Sequence, residues 1–148
     1  MNNNNNNYPF DFNAPVSDEI MDKVEALYNF WSQFGVRAYP SIIVPDSALK
    51  DLINIGTPYL TYDIVLGDFE DDCYMTAQIH YNVLKHGMAP LVREQEYITN
   101  VLKRGGMTIK YHDGLMRVNL ASPSAQIINT EKDAIKKCVI NIVVEYME

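Results

Sequence analysis

The feature that most constrains the fold is an apolar alternation near the carboxyl end of the sequence. Between Ile135 and Tyr146, two interleaved sets of side chains are both apolar in the middle of the run. Period-two alternation is typical of a β-strand, and apolar residues on both faces are typical of a strand inside a sheet. The sequence therefore predicts a central strand here, which other elements must flank and cover.

Two further runs predict an antiparallel pair of strands. In Tyr59–Leu66 and in Cys73–Val83, apolar and polar side chains alternate, so each strand has one apolar face and one wet face. The residues between them, Gly67–Asp72, are mostly acidic and predict a turn. We expect helices to cover the apolar face of this pair.

The first of two main helices is predicted near the amino end. Ser17 is suited to cap it, and Gly35 ends it. Its apolar stripe at helical spacing consists of Ile20, Val24, Leu27, Tyr28, Trp31 and Phe34. Because Trp31 lies on this stripe, we expect it to pack in the core.

The second main helix is predicted from Pro90, in its first turn, to Leu102, and Gly105-Gly106 stops it. A short strand at Val36–Tyr39 is also predicted. Pro45 opens a brief helical stretch that runs through Ile53.

A hairpin follows the second helix. Met107–Tyr111 and Leu115–Leu120 are predicted strands, joined by His112-Asp113-Gly114, whose Asp-Gly pair favours a tight turn. The polar segment Ala121–Asp133 contains Ser and Pro and predicts a loop. Together these elements predict an α+β fold, with an antiparallel sheet of four or more strands and two main helices packed on one face.

The amino-terminal segment is predicted to be a flexible arm. Six consecutive asparagines, Asn2–Asn7, bury nothing that could offset the entropy of ordering them. We therefore divide the chain into a disordered arm over residues 1–16 and a single domain over residues 17–148. An alternative is that the aromatic residues of the arm dock on a neighbouring subunit. These residues are Tyr8, Phe10 and Phe12.

Charge and size exclude several classes of protein. The 148 residues suffice for one domain and not for a large multidomain enzyme. Nineteen acidic against 12 basic residues give a formal charge of -7, which is the wrong sign for binding nucleic acid through phosphate contacts. No run is apolar for long enough to span a bilayer, and no signal peptide is evident, so we expect a protein that is cytosolic when made.

Candidate catalytic residues are sparse in this sequence. It contains no glycine-rich phosphate loop and no nucleophile elbow around Ser122 or Ser124. Cys73 and Cys138 lie in predicted strands and are interpreted as small buried hydrophobes. We therefore expect no catalytic residue, no cofactor and no enzyme activity.

One cluster of carboxylates could bind a metal ion, but a solvated turn is the favoured interpretation. Asp68, Glu70, Asp71 and Asp72 offer closely spaced oxygen ligands, yet they lack the EF-hand pattern, and a charge run in a turn is usually solvated. The histidines, which are His80, His86 and His112, lack the spacing of a helical zinc site. No bound metal is predicted.

Tyrosine is the more informative excess. The chain has ten tyrosines, and this residue combines a large apolar ring with a polar tip that suits protein–protein interfaces. An acidic, tyrosine-rich α+β domain without catalytic motifs favours a role in assembly. The alternative, equally open for any single tyrosine, is that Tyr62, Tyr81 and Tyr146 line the core edge of the sheet.

Several segments in series resemble a known family. In order they are an amphipathic helix (Ile20–Phe34), Val36-Arg37-Ala38-Tyr39-Pro40, Pro58-Tyr59-Leu60-Thr61-Tyr62, an acidic turn, an alternating strand through Ile79-His80-Tyr81, a helix, and a closing strand (Cys138–Tyr146). This layout, from Ser17 to Glu148, resembles the tail terminator family of long-tailed bacteriophages, the small neck proteins that cap the tail tube.

The resemblance implies a structural virion protein without enzyme activity. It would form a hexameric ring at the head-proximal end of the tail tube, stop tube polymerisation and join the tail to the head connector. The implied partners are other copies of the chain, the major tail tube protein and the head-completion protein. Genomic DNA would pass through the lumen unbound, and an acidic subunit suits such a conduit. The implied location is the tail and neck of the virion, after assembly in the host cytoplasm.

Loops and exposed strand edges are the candidate contact surfaces of such a ring. The candidate interface residues are Asp68, Phe69, Glu70, Asp71 and Asp72 in the acidic turn, and Tyr111, His112, Asp113 and Leu115 in the hairpin. The predicted loop Ala121–Asp133 is a third candidate.

Two other functions remain open on the sequence. An α+β domain is a common scaffold for small ligand-binding or regulatory modules, which need a pocket with a few convergent polar groups. A metal-dependent enzyme would use the carboxylates of Asp68–Asp72, and Asn substitutions at Asp71 and Asp72 would then abolish its activity.

Overall fold

The computed structural model describes residues 9–10, 22–65, 72–103, 105–112 and 114–147, which form an α+β structure. The helices are α1 (Lys23–Ser32), α2 (Asp46–Asn54), α3 (Val83–His86) and α4 (Ala89–Leu102). The strands are β1 (Arg37–Pro40), β2 (Tyr59–Tyr62), β3 (Cys73–Asn82), β4 (Met107–Tyr111), β5 (Gly114–Asn129) and β6 (Ile135–Met147). The α+β class predicted from the sequence is confirmed.

The six strands form one mixed sheet in the order β1-β2-β3-β6-β5-β4. β1 and β2 are parallel, whereas the other neighbours are antiparallel. The prediction of an antiparallel sheet was therefore wrong at this edge. The physical reason is that residues 41–58, which include α2, form a crossover long enough to return the chain in the same direction.

The first face of the sheet carries the main core. Side chains of β3 and β6 that alternate along these strands point to this face and are almost wholly buried, among them Met75, Ile79, Ile140 and Ile142. They belong to the same buried cluster as apolar residues of α1 and α4, which include Leu27, Trp31, Leu91 and Ile98. Burial of these side chains is the main source of stability for the fold.

The second face is covered at one corner by α2. Ala48 and Leu52 of this helix pack with Tyr59 of β2 and Ile135 of β6 in a separate buried cluster. The sequence predicted a wet face here, but Tyr59 and Thr61 are both buried. The sequence predicted two main helices on one face of the sheet. It did not predict that α2 covers the opposite face.

Asn82 holds this corner together. Its Nδ2 donates to the carbonyl oxygen of Leu52 at 3.0 Å, and its Oδ1 accepts from the backbone N–H groups of Leu84 and Lys85. One buried side chain therefore caps α3 and ties it to α2.

β6 is the central strand that the alternation predicted. It pairs with β3 on one side and with β5 on the other along most of its length. Cys138 of this strand and Cys73 of β3 are both buried, as predicted.

Two strands have limits that differ from the predictions. β2 ends at Tyr62, although the alternation continues to Leu66. The predicted loop Ala121–Asp133 is wrong, because β5 continues to Asn129. The Ser/Pro residues that suggested a loop lie in a bulge, where β5 and β6 shift register between Leu120 and Ala125. Pro lacks the N–H group needed for pairing, so a bulge accommodates it within a strand.

The amino-terminal region is described in part. Asp22 is the N-cap of α1 and accepts the N–H of Glu25 at 2.8 Å. The helix therefore starts later than the predicted cap, Ser17, which lies outside the described residues. Of the predicted arm, Pro9 and Phe10 are described, and Phe10 is buried with its ring stacked on Tyr81.

Candidate functional site

The predicted interface residues of the acidic turn are mostly not placed by the structure. Asp68, Phe69, Glu70 and Asp71 lie outside the described residues. Asp72 is described, and it is exposed immediately before β3. The structure therefore places one end of this candidate contact at the start of β3.

The predicted β4–β5 hairpin is present, with Tyr111 opposite Gly114. His112 and Leu115 are exposed near its tip, and Asp113 is not among the described residues. Tyr111 is 2% exposed because its ring packs edge-on against Tyr146. Tyr111 is thus a core residue, and among the described interface candidates of this hairpin His112 and Leu115 are the accessible ones.

A surface that the sequence analysis did not single out lies beside β1. Val24 and Tyr28 of α1 and Ile42 and Ile43 after β1 are exposed, and the two isoleucines are 79% and 67% exposed. Tyr28, Ile42 and Ile43 line a shallow cavity of about 650 Å³ along the strand. We call these four residues the β1-edge patch.

The patch consists of apolar side chains at the edge of the sheet. β1 is the terminal strand of the sheet in the described part of the chain, but Pro40 lacks an N–H group and its carbonyl oxygen accepts from Ile43, so little backbone is left for pairing. Val24 and Tyr28 are one helical turn apart on α1. Ser41 and Ile43 donate their N–H groups to Tyr62 and Pro40, which holds the isoleucines beside the strand. Contiguous exposed apolar groups are typical of binding surfaces.

A second concave surface lies on the other face of the sheet, which we call the second-face pocket. It has a volume of about 460 Å³. Its apolar part consists of Leu49, Leu52, Tyr59, Ile128 and Ile135, and its polar part of His80, Asn129, Thr130, Glu131, Lys132 and Lys137. Two lysines against one carboxylate make this pocket locally basic in an acidic chain.

Hydrogen bonds order one rim of the second-face pocket. Thr130 Oγ1 donates to the carbonyl oxygen of Ile135 at 2.8 Å and accepts the N–H of Lys132 at 3.2 Å. These bonds close the turn between β5 and β6 that carries Lys132. The lysine backbone is therefore held beside the pocket.

His80 is the most perturbed titratable group of the pocket. Its ring stacks on Tyr59 at 4.4 Å between centroids, and its Nε2 is 3.0 Å from Thr61 Oγ1. Burial, followed by the charge of Lys137, lowers the pKa of His80 from 6.5 to about 4. His80 is thus a neutral group at physiological pH.

This shift predicts a pH dependence of stability. Below about pH 6.5 the unfolded chain protonates His80, whereas the folded chain does so near pH 4, so the unfolded state binds more protons in between. The stability that comes from the lowered pKa of His80 is fully present above pH 6.5 and is lost as the pH falls to 4. Between pH 7 and 4, the free energy of unfolding should fall about 2 kcal/mol more in wild type than in His80→Gln.

Urea denaturation at several pH values measures this difference. Glutamine at position 80 retains a hydrogen-bonding side chain and cannot titrate, so the fall that both proteins share reports the other groups. If the free energy of unfolding falls equally with pH in the two proteins, His80 titrates normally in the folded chain.

The described residues also limit the chemistry near the core. Burial, followed by the Glu94 carboxylate, raises the pKa of Cys138 to about 12, so its thiol stays protonated at neutral pH. Among residues with described positions, no three His, Cys, Asp or Glu side chains are grouped so that they could hold a metal ion. No helix in the described part of the chain is long and apolar enough to cross a membrane.

Comparisons with family models, curated proteins and solved structures find no match.

The β1-edge patch left a partial signal in the sequence. Ile42-Ile43-Val44 is an apolar run between Pro40 and Pro45, too short for a buried element and therefore indicative of an exposed loop. The pocket could not be predicted in this way, because His80 and Lys137 become neighbours through the pairing of β3 with β6.

Proposed function

We propose that this protein is a structural virion protein and that it resembles phage tail terminators. In this proposal, six copies form a ring at the head-proximal end of the tail tube. The ring stops tube polymerisation and joins the tail to the head connector. DNA passes through its lumen without specific binding.

The observation that carries the proposal is the β1-edge patch. Exposed apolar side chains scattered singly are normal on a soluble protein, but here they adjoin one another at the edge of the sheet. A partner with a complementary apolar surface would cover Ile42 and Ile43. We assign this patch to the contact with the end of the tail tube.

The charge of the chain supports the same function. A formal charge of -7 disfavours adhesion to DNA phosphates, which is what a conduit for DNA requires. A closed ring also needs two different, complementary faces on each subunit, separate from the surface that meets the tube.

Immuno-electron microscopy of the parent particles tests this function. Gold label confined to the head–tail junction is the expected result. Label elsewhere on the virion would indicate a different structural role. Particles without any label would overturn the proposal.

A double substitution tests the assigned contact. Ile42→Glu/Ile43→Glu places two charges in the patch and should weaken binding to tube ends by at least about tenfold, because burying an unpaired charge is costly. Co-sedimentation of the purified full-length protein with isolated tails measures binding, and tube length in particles made with the variant measures termination.

Leu84→Glu is the matched control for this substitution. Leu84 is 78% exposed on α3 and lies outside the β1-edge patch, so its replacement should leave tail binding unchanged. Equal loss of binding in the control, or normal binding by the double variant, would contradict the assignment of the patch.

A small ligand-binding or regulatory module is the second candidate function. The second-face pocket favours it, because an apolar floor with convergent polar groups is the usual form of such a site. Unlabelled particles together with saturable binding in a ligand screen would support this function instead.

A further inference from the structure

Four neighbouring strands place one row of side chains on the floor of the second-face pocket. Tyr59 lies opposite His80, and His80 lies opposite Lys137. Lys137 in turn lies opposite Ile128. Residues directly opposite each other share a face of the sheet, and adjacent strands are about 4.8 Å apart, so the row extends for about 14 Å. The pocket therefore has a floor built on paired strands, in which a lysine lies between the His80 ring and an aliphatic side chain.

The rest of the pocket comes from α2 and from the turn after β5. α2 contributes Leu49 and Leu52, and Leu49 is half-exposed, so part of this apolar surface is open to solvent. The turn contributes Lys132, whose backbone is held by the hydrogen bonds of Thr130. Lys137 is held in the same way by the pairing of β6 with its neighbours. The pocket thus combines an apolar surface with two ammonium groups on fixed backbones.

The charged groups that line the pocket sum to one positive charge. His80 is neutral at physiological pH, so these groups are Lys132, Lys137 and Glu131. In the part of the chain that the structure describes, neither lysine ammonium group forms a hydrogen bond or an ion pair. A ligand with one negative charge would therefore balance the lining and supply the partner that both lysines lack there.

We propose that the second-face pocket binds a small organic carboxylate that has an apolar body. The carboxylate pairs with Lys132 and Lys137, and the apolar body covers Ile128 and Leu49. This inference rests on the second candidate function, the ligand-binding module, which it deepens by naming the class of ligand. It does not require the ring.

Two probes that differ in charge test the class of ligand. 2-Naphthoate has a carboxylate on a rigid apolar body, and 2-naphthamide has the same body without the charge. Isothermal titration calorimetry with the full-length protein should give at least about tenfold tighter binding of 2-naphthoate, because only this probe pairs with the lysines. Titration with 2-naphthoate should also shift the imidazole NMR signal of His80, which the His80→Gln variant identifies.

Substitutions in the pocket separate its charge from its apolar surface. Lys132→Met/Lys137→Met keeps the apolar stems, so it should bind 2-naphthoate at least about tenfold more weakly and still bind 2-naphthamide, which shows that the variant is folded. The matched control, Lys85→Met/Lys110→Met, makes the same charge change at two exposed lysines outside the pocket and should bind 2-naphthoate like wild type. Leu49→Gln retains a good helix former and should weaken the binding of both probes.

Several outcomes would overturn the inference. They are an absence of 2-naphthoate binding, equal affinity for the two probes, unchanged 2-naphthoate binding by Lys132→Met/Lys137→Met, or a His80 signal that does not move. Saturable binding of another class of ligand at His80, without 2-naphthoate binding, would reject the carboxylate and retain the ligand-binding module.

Failure of this inference is also distinguishable from failure of the virion role. Gold label at the head–tail junction together with an absence of 2-naphthoate binding would reject the carboxylate site alone. Carboxylate binding together with unlabelled particles would retain the site and reject the virion role.

Discussion

Replacement of Trp31 by alanine is expected to lower the free energy of unfolding by about 3 to 5 kcal/mol. Trp31 is wholly buried on α1. Its ring lies 4.8 Å from Phe30, 6.2 Å from Phe34 and 6.4 Å from Tyr62, between centroids. Alanine removes these contacts and leaves a cavity between α1 and the sheet, which the surrounding aromatic rings can fill only in part.

Chemical denaturation monitored by far-UV circular dichroism measures this loss. Tyr28→Ala is the control, because Tyr28 lies on the same helix and is half exposed, so its replacement should cost about 0.5 kcal/mol or less. Trp31→Phe retains much of the volume and should fall between the two. Similar costs for the Trp31 and Tyr28 replacements would contradict the described core.

Gly106→Ala should destabilise the chain by at least about 3 kcal/mol. Gly106 lies between α4 and β4 with φ +78°, a conformation that favours glycine. A Cβ atom there would lie 2.1 Å from the carbonyl oxygen of Val118 and 2.4 Å from Asn119 Oδ1. Since the first of these atoms is backbone of β5, the strand itself would have to move.

The neighbouring glycine separates the cost of the backbone conformation from the cost of the close contact with β5. Gly105 has φ +83°, and a Cβ atom there would meet nothing closer than Arg117 Nη2 at 3.7 Å. Gly105→Ala therefore incurs the conformational cost alone, about 1 to 2 kcal/mol. Thermal and urea denaturation of both variants should give a clearly lower free energy of unfolding for Gly106→Ala than for Gly105→Ala. Equal stabilities would show that the close approach to β5 is absent.

Local patterns predicted most of the elements. The period-two alternation located β3 and β6, and helical spacing with punctuation by glycine and proline located α4. The Asp-Gly pair located the β4–β5 hairpin. These signals are short-range, so a single sequence contains them.

Element ends and loops were less predictable. The alternation after Tyr62 continues in the sequence, yet the ladder between β2 and β3 ends at Tyr62, opposite Ala77, followed by one bond from the Asp63 N–H to the carbonyl oxygen of Thr76. Conversely, the residues after Ala125 pair with β6 although their composition resembles a loop. In both cases the residue pattern did not give the end of the strand.

The candidate surfaces show the same division. The acidic segment and the apolar residues Ile42 and Ile43 are visible in the sequence as composition. Val24 and Tyr28 belong to the predicted apolar stripe of α1, but the structure leaves them exposed beside β1. The stripe was wider than the face that the sheet could cover, and the excess became part of the β1-edge patch.

The sequence by itself determined the α+β class, the central strand and the charge of the chain, because these follow from residue spacing and composition. The tertiary structure alone decided the parallel pairing of β1 with β2, the position of α2 on the second face and the pocket around His80 and Lys137. Each of these joins residues far apart in the chain. Their proximity depends on strand order and register, which are set when the apolar surfaces are buried together.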